Sequence, residues 1–417
     1  MNHASTLPAA ATAWSRFSLF TVCLLAVCVS LGTATVSIAK ALLLLALVGQ
    51  LWQDGPSRIR DWCISAPRAV GFILAALAWF ALSALWTEAY PGEAASVFMG
   101  HARLFWVLAV LYLLNTSERA WTALGWLVTG QLFVMLSSWL MWLGVPIFYA
   151  TAHAPAAQGI LFTSTLEQPI MSTLLAVLLW HCRDRWAARL GRHGHRIVHL
   201  ALLLTVTNVL FIMTGRTGYL VMLVGLSLSG FMATPARWRL AALAAPVLLA
   251  VAAFTLSPRL HDRVMQVQQD ITQYRQGNIN SSQGLRLDYW RAAVEGIAER
   301  PWVGHGVGSY SRVYTEHDGF EKRILRDPHQ QYLFWWVEGG LVALALLLSF
   351  LISLVTYARQ LPMAPRRALV CTAALAATMG LSACPFFGAG MGEHLMLMIA
   401  ALLATHPQVP TPQIRGV

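Results

Sequence analysis

Two arginines and a histidine stand apart from an otherwise apolar chain by type and place. Arg216 sits in Thr214-Gly215-Arg216-Thr217-Gly218, a tight break between two hydrophobic runs. Arg286 opens a helical stretch that follows a turn rich in Gly, Asn and Ser. His329 lies in Asp327-Pro328-His329-Gln330-Gln331-Tyr332-Leu333, immediately before another hydrophobic run. A guanidinium never loses its charge and matches phosphate oxygens in a bidentate fork. An imidazole takes a proton near neutral pH and so serves as a general base. Two guanidiniums and one imidazole on one face of a membrane are what a diphosphate leaving group and an attacking hydroxyl need. Each residue also has a plainer role open to it: Arg216 can snorkel to the interface, Arg286 can be a solvated helix residue, and His329 a satisfied interfacial histidine. Arg291, about one helical turn past Arg286, is a weaker third cation whose position suits an ordinary surface residue.

The elements that must position these groups follow from composition. The chain has 417 residues, of which 57% are hydrophobic and 11% charged, with a mean hydropathy of +0.58. Soluble domains carry about 25% charged residues, so this is a polytopic membrane protein. The net charge of +11 invites a nucleic-acid reading, but the placement of the charge excludes it. The basic residues are almost all Arg, with Lys only at Lys40 and Lys322, and they collect in short loops between apolar segments. A window of about 19 residues predicts roughly twelve spans: 17–32, 34–52, 69–87, 102–115, 120–143, 159–181, 197–214, 217–233, 239–256, 330–357, 366–383 and 386–405. With the N-terminus inside, Arg58, Arg119, Arg183 to Arg196, Arg237 and Arg359 fall in inside loops. The turns near Thr33, Pro91, Pro155 and Cys384 are nearly bare. Residues 1–256 are then nine spans, 257–329 an outward loop domain, and 330–417 the last three spans. Gly32-Thr33-Ala34 resembles a signal-peptide cleavage site, but the next apolar run starts at once, which favours a retained anchor. Cys23, Cys28, Cys63, Cys182, Cys371 and Cys384 lie in or beside apolar segments, a pattern of core fillers and not of a disulfide framework.

The outward interval has its own order. Leu260, Val264, Val267, Ile271 and Tyr274 recur at spacings of four and three, one face of an amphipathic helix. Ser281 or Ser282 is placed to cap a second helix. Its expected buried stripe is Leu287, Trp290, Val294 and Ile297, with Arg286 near the N-terminal end where an anion is welcome. Pro301 ends that helix, and Gly304-His305-Gly306-Val307-Gly308 reads as a flexible connector, too weak a pattern for a nucleotide-binding turn. Glu316-His317-Asp318 and His305 offer metal-ligand chemistry, but the segment reads as a solvated turn. Lys40, near the outward end of its span, either touches a lipid phosphate or snorkels, and Glu167, inside a span, is either functional or a structural partner. His193-Gly194-His195, among inside arginines, fits an orientation signal and anionic-lipid contact.

At this point a resemblance becomes specific. Gly-Arg-Thr-Gly in a turn precedes Gly284-Leu-Arg-Leu-Asp-Tyr-Trp-Arg-Ala-Ala293, then Pro301-Trp-Val-Gly-His-Gly-Val-Gly-Ser-Tyr310, then His329-Gln-Gln-Tyr-Leu333 and Glu338-Gly-Gly-Leu341. This order resembles the O-antigen ligase family, which shares its core with O-antigen polymerases and bacterial O-oligosaccharyltransferases. The resemblance implies an all-α, GT-C-like membrane glycosyltransferase with one long helical periplasmic loop. It would move O-antigen polysaccharide from undecaprenyl diphosphate to the lipid A core oligosaccharide at the outer face of the inner membrane, with inversion, without a metal or other cofactor and without nucleic acid. It further implies that Arg216 and Arg286, with Arg291 as an accessory, hold the diphosphate, and that His329 is the base. A lateral cavity, lidded by the two loop helices, would open to the bilayer and to the periplasm. The alternatives are an O-antigen polymerase, which often has two long outward loops, a protein O-oligosaccharyltransferase, which usually carries an added soluble C-terminal region, and a lipid-linked glycan transporter, which would show repeated halves.

Overall fold

The computed structural model describes residues 13–150, 158–256, 258–318 and 325–406; Pro155, Ser257 and Lys322 lie outside the described residues, as do the side chains of Leu260 and Val264. All regular structure within them is helical, as lipid requires of an open chain that must satisfy its own backbone hydrogen bonds. The chain opens with α1 (Ala13–Cys28), α2 (Thr33–Ser65) and α3 (Arg68–Ser83). Next come α4 (Glu93–His101), α5 (Phe105–Leu113), α6 (Ser117–Trp142) and α7 (Glu167–His181). α8 (Arg183–Leu190) and α9 (Gly194–Thr207) lead through a π-helical turn, Asn208–Ile212, to α10 (Arg216–Ala233) and α11 (Arg239–Leu256). α12 (Pro258–Arg275), α13 (Ser282–Glu299) and α14 (Tyr310–Asp318) make up the polar interval. The chain returns to apolar helices in α15 (Gln331–Ala358), α16 (Met363–Met379) and α17 (Met391–Leu403).

Among the described residues, six stretches are long and apolar enough to cross a membrane: Thr33–Ser65, Glu93–Leu113, Ser117–Trp142, Arg183–Ile212, Arg216–Ala233 and Gln331–Ala358. Three shorter apolar helices, α1, α3 and α17, accompany them, and the chain is a multi-pass membrane protein. The difference from the twelve expected spans has a physical cause. A hydropathy window counts apolar residues whether or not they are helical. The run 386–405 opens with turns and a positive-φ glycine, Gly390, so its helix is Met391–Leu403 alone. The run 159–181 likewise becomes helical only from Glu167. Such irregular backbone is tolerated at this depth because protein covers it.

The core that matters for function lies where α15 packs on α3 and α13 packs on α14 and α15. Phe80, Tyr310, Tyr314, Phe334 and Trp335 are fully buried there, and His101 stacks on Phe80 with ring centroids 4.0 Å apart. Three expectations need correction. On α13 the buried face carries Gly284, Asp288, Ala292, Ala293, Gly296 and Ile297, while Val294 is 55% exposed. Small residues let α13 approach its neighbours closely, a preference that hydropathy does not register. The Gly304–Gly308 segment is no flexible connector. His305 N–H donates to Val337 O at 2.8 Å, Gly306 N–H to Glu338 O at 2.9 Å and Gly308 N–H to Glu338 Oε1 at 2.9 Å. Its three glycines have φ of +69°, +89° and +81°, and a side chain at any of them would run into neighbouring backbone. Finally, Cys63 is exposed, although the other five cysteines are buried as expected.

Candidate active site

Arg216 is the first residue of α10, and its motif is built for close packing. A side chain at Gly215 would strike Thr165 O, and one at Gly218 would strike Pro169, so the two glycines seat this helix end against the start of α7. The Arg216 guanidinium reaches Asp270 of α12 at 3.2 Å, and Asp270 is only 5% exposed. Arg216 is therefore an ion-paired residue and does not snorkel.

Arg286 lies in the first turns of α13, whose N-cap is Ser281: its hydroxyl accepts from Gly284 N–H at 3.0 Å, as the sequence led one to expect. The side chain is half-buried. Burial, then the nearby Arg216 guanidinium, push its pKa below the usual arginine value, while Asp327 works the other way. The Arg216 guanidinium thus opposes the charge on Arg286, while Asp270 pairs with Arg216 and Asp327 favours the charge on Arg286.

His329 precedes α15 in a strained conformation. Its φ of 53° makes it the one non-glycine residue with positive φ among the described residues. The cost of such a conformation, about 1–3 kcal/mol, must be met by the surroundings. Here Asp327 accepts the His329 backbone N–H at 2.8 Å, Trp290 Nε1 donates to Pro328 O at 3.0 Å, and Gln331 N–H donates to Gly380 O at 2.8 Å. Gln330 caps α15 by accepting from Leu333 N–H. The imidazole itself remains 45% exposed, with Nδ1 3.2 Å from Asp327 Oδ1.

Arg286 thus feels both Arg216 and Asp327, and Asp327 pairs with His329. Arg291 stands apart from the linkage, since its guanidinium binds Asp288 at 2.9 Å and Glu295 at 3.2 Å. Asp288 is buried and also accepts from Tyr314 OH at 3.0 Å. Arg291→Ala is accordingly expected to cost about 1 kcal/mol of stability in denaturant unfolding, with turnover within about twofold of wild type.

An apolar cavity of about 740 Å³ lies between α10, α11 and α12, with Arg216 and Arg275 among its lining residues. Met222, Leu226, Pro246 and Leu249 are shared with a second cavity of about 340 Å³ that reaches Gly230 and Ala242. Along α10 from Arg216 to Gly230 this is about 21 Å of helix rise, a large part of a roughly 30 Å hydrocarbon layer. Of the two loop helices expected as a lid, only α12 lines it.

Other singled-out residues have structural partners. His305 faces Glu88 at 2.7 Å and Gly296 O at 2.8 Å. His317 meets Val313 O and Glu299, and Glu316 meets Arg312. Lys40 pairs with Glu393 over the Trp106 ring, and Glu167 lies against Ser164 and Met391 N–H. Sequence reasoning passed over Asp270 and Asp327. Asp270 left no signal, being one polar residue on a helix rich in them. Asp327 did leave one: an Asp two residues before His329 across a proline is the pattern of a side-chain-closed turn.

An uncharacterised protein of Haemophilus influenzae is 29% identical over 124 residues, which is 28% of this chain and 31% of that protein. The chain therefore matches about a third of that relative's length. Residues 200–348 match the family described as O-antigen ligase, a stretch that contains Arg216, Arg286, Asp327 and His329. Within that stretch, the chain is similar to the O-antigen ligase family.

Proposed function

We propose that the protein is an O-antigen ligase, transferring a polysaccharide from undecaprenyl diphosphate to the lipid A core oligosaccharide at the outer face of the bacterial inner membrane. The observation that carries this reading is Arg216 lining an apolar cavity, with its charge felt by Arg286, and Asp327 joining Arg286 electrostatically to the half-exposed His329. The polyprenyl chain lies in the cavity between α10 and α11, and the diphosphate sits at Arg216 and Arg286. Residues 257–329, with α12 to α14, face the periplasm together with this mouth.

The chemistry is a single inverting displacement. The acceptor hydroxyl oxygen attacks the anomeric carbon, the bond from that carbon to the diphosphate oxygen breaks, and the hydroxyl proton passes to His329. The charge growing on the departing diphosphate is met by Arg216 and Arg286, which take the part that a divalent cation plays in many soluble glycosyltransferases. As diphosphate enters, Arg216 exchanges Asp270 for phosphate oxygens.

The test is transfer by the purified protein in nanodiscs, given an undecaprenyl-diphosphate-linked glycan and core–lipid A. The expected product is glycan joined to core–lipid A. Elongation of the lipid-linked glycan with no core product would instead identify a polymerase. Leu226→Trp, which fills the junction of the two cavities, is expected to raise the donor KM about tenfold and spare kcat. Displacing two buried methylene groups, at about 0.8 kcal/mol each, gives that factor. An unchanged donor KM would place the lipid chain elsewhere.

A further inference from the structure

The mechanism above uses His329 as a base but does not say what aims it. Asp327 Oδ1 meets the same histidine twice, at the backbone N–H at 2.8 Å and at ring Nδ1 at 3.2 Å. The carboxylate is largely buried, with 19% of its side-chain surface exposed. Burial drives its pKa up, but hydrogen bonding and attraction from His329 outweigh burial and hold it below the ordinary aspartate value, so it is anionic at neutral pH. The groups facing it come from every adjoining element: Arg286 on α13, Tyr310 on α14, Glu338 on α15 and the Cys384 thiol before α17. Of these, Arg286 is the one cation, and it belongs to the diphosphate pair.

We propose that Asp327 is a positioning residue for the transfer step, holding the proton of the His329 ring on Nδ1 so that Nε2 is the base, and balancing the imidazolium once the acceptor proton arrives. The proposal rests on the ligase reading for the identity of the reaction, while the pairing rests on geometry alone. The transferred proton starts on the acceptor hydroxyl and ends on Nε2; Asp327 stays ionised throughout. Because Arg286 also feels this carboxylate, Asp327 moderates the repulsion between the two diphosphate arginines before donor arrives. One carboxylate then serves both ends of the reaction.

A purely structural account is available, and it predicts something different. Asp-Pro-His with the Asp side chain accepting the His backbone N–H is a side-chain-closed turn, which Asn makes equally well. Asp327→Asn therefore preserves the turn and removes only the charge and its hold on Nδ1. The expected result is a fall in kcat of about ten- to hundredfold, part of the ~10²–10⁴ that a positioned base contributes, with the donor KM unchanged or lower. In a second readout, independent of turnover, carbethoxylation of His329 at pH 7 is followed by peptide mass spectrometry. It is expected to run several-fold slower in Asp327→Asn, because the carboxylate no longer keeps the ring proton on Nδ1 and Nε2 free. Wild-type kcat in Asp327→Asn, or an unchanged rate of His329 modification, overturns the proposal. If wild-type protein transfers nothing to core–lipid A yet His329 modification still slows in the variant, the pairing stands and the ligase reading falls.

Discussion

His329→Ala is expected to reduce transfer by about 10²–10⁴ at saturating donor, with binding of undecaprenyl diphosphate nearly unchanged. The magnitude is the usual contribution of a positioned general base. The preserved binding follows from geometry: the ring is 45% exposed and makes its close contact with Asp327, while the arginines proposed to hold the diphosphate are on α10 and α13. Folding should hold as well. The positive φ at His329 is strained for any residue with a Cβ, and the hydrogen bonds that fix the turn come from the backbone, Asp327, Trp290 and Gln331. The measurement is single-turnover transfer together with a binding isotherm for undecaprenyl diphosphate. A variant that transfers at the wild-type rate removes His329 from the chemistry. One that loses binding and transfer in parallel makes it a ligand for the donor.

Arg286→Ala is expected to cost about 10²–10³ in kcat, the scale seen when one preorganised group that stabilises developing charge is removed. Its effect on stability should run in the opposite direction. Burial and Arg216 both oppose the charge at position 286, so deleting it relieves repulsion that the folded protein tolerates. Unfolding in detergent should occur at the same temperature as wild type or a few degrees higher. A gain in stability paired with a loss of turnover separates a functional cation from a structural one, which loses both. Arg286→Lys tests the fork: an ammonium restores the charge but not the bidentate match to phosphate, so recovery should be partial. Arg216→Ala is the less clean experiment. It leaves Asp270 buried without its cation, so α12 loosens and stability falls with activity.

Much of this site was legible from the chain. His329 stands out because its signals are local: a turn, a proline, then the start of an apolar helix. Ser281 as a cap and Pro301 as a stop were equally local and fell where the pattern put them. The failures share one cause. Val294 was placed inside because it is apolar and correctly spaced, but the α13 interface selects small residues, and Gly284, Ala292, Ala293 and Gly296 occupy it. The Gly304–Gly308 segment looked flexible because glycine is permissive, whereas here its freedom is spent on a backbone path that only glycine can follow. Twelve apolar runs were visible, but how each divides into helix and turn depends on neighbours.

Composition and local pattern alone determined that this is a helical membrane protein with one long polar interval, and that Arg216, Arg286 and His329 are its unusual polar residues. Hydropathy, capping and turn chemistry act within about a helical turn of sequence, so they can be read directly. Only the tertiary structure decided that Asp270 pairs with Arg216, that Arg291 belongs to Asp288 and Glu295, and that Asp327 pairs with His329 and acts on Arg286. Asp270 lies 54 residues along the chain from its partner Arg216. A charge pair closed across that distance is chosen by how helices pack, and helix packing has no periodic trace in the sequence.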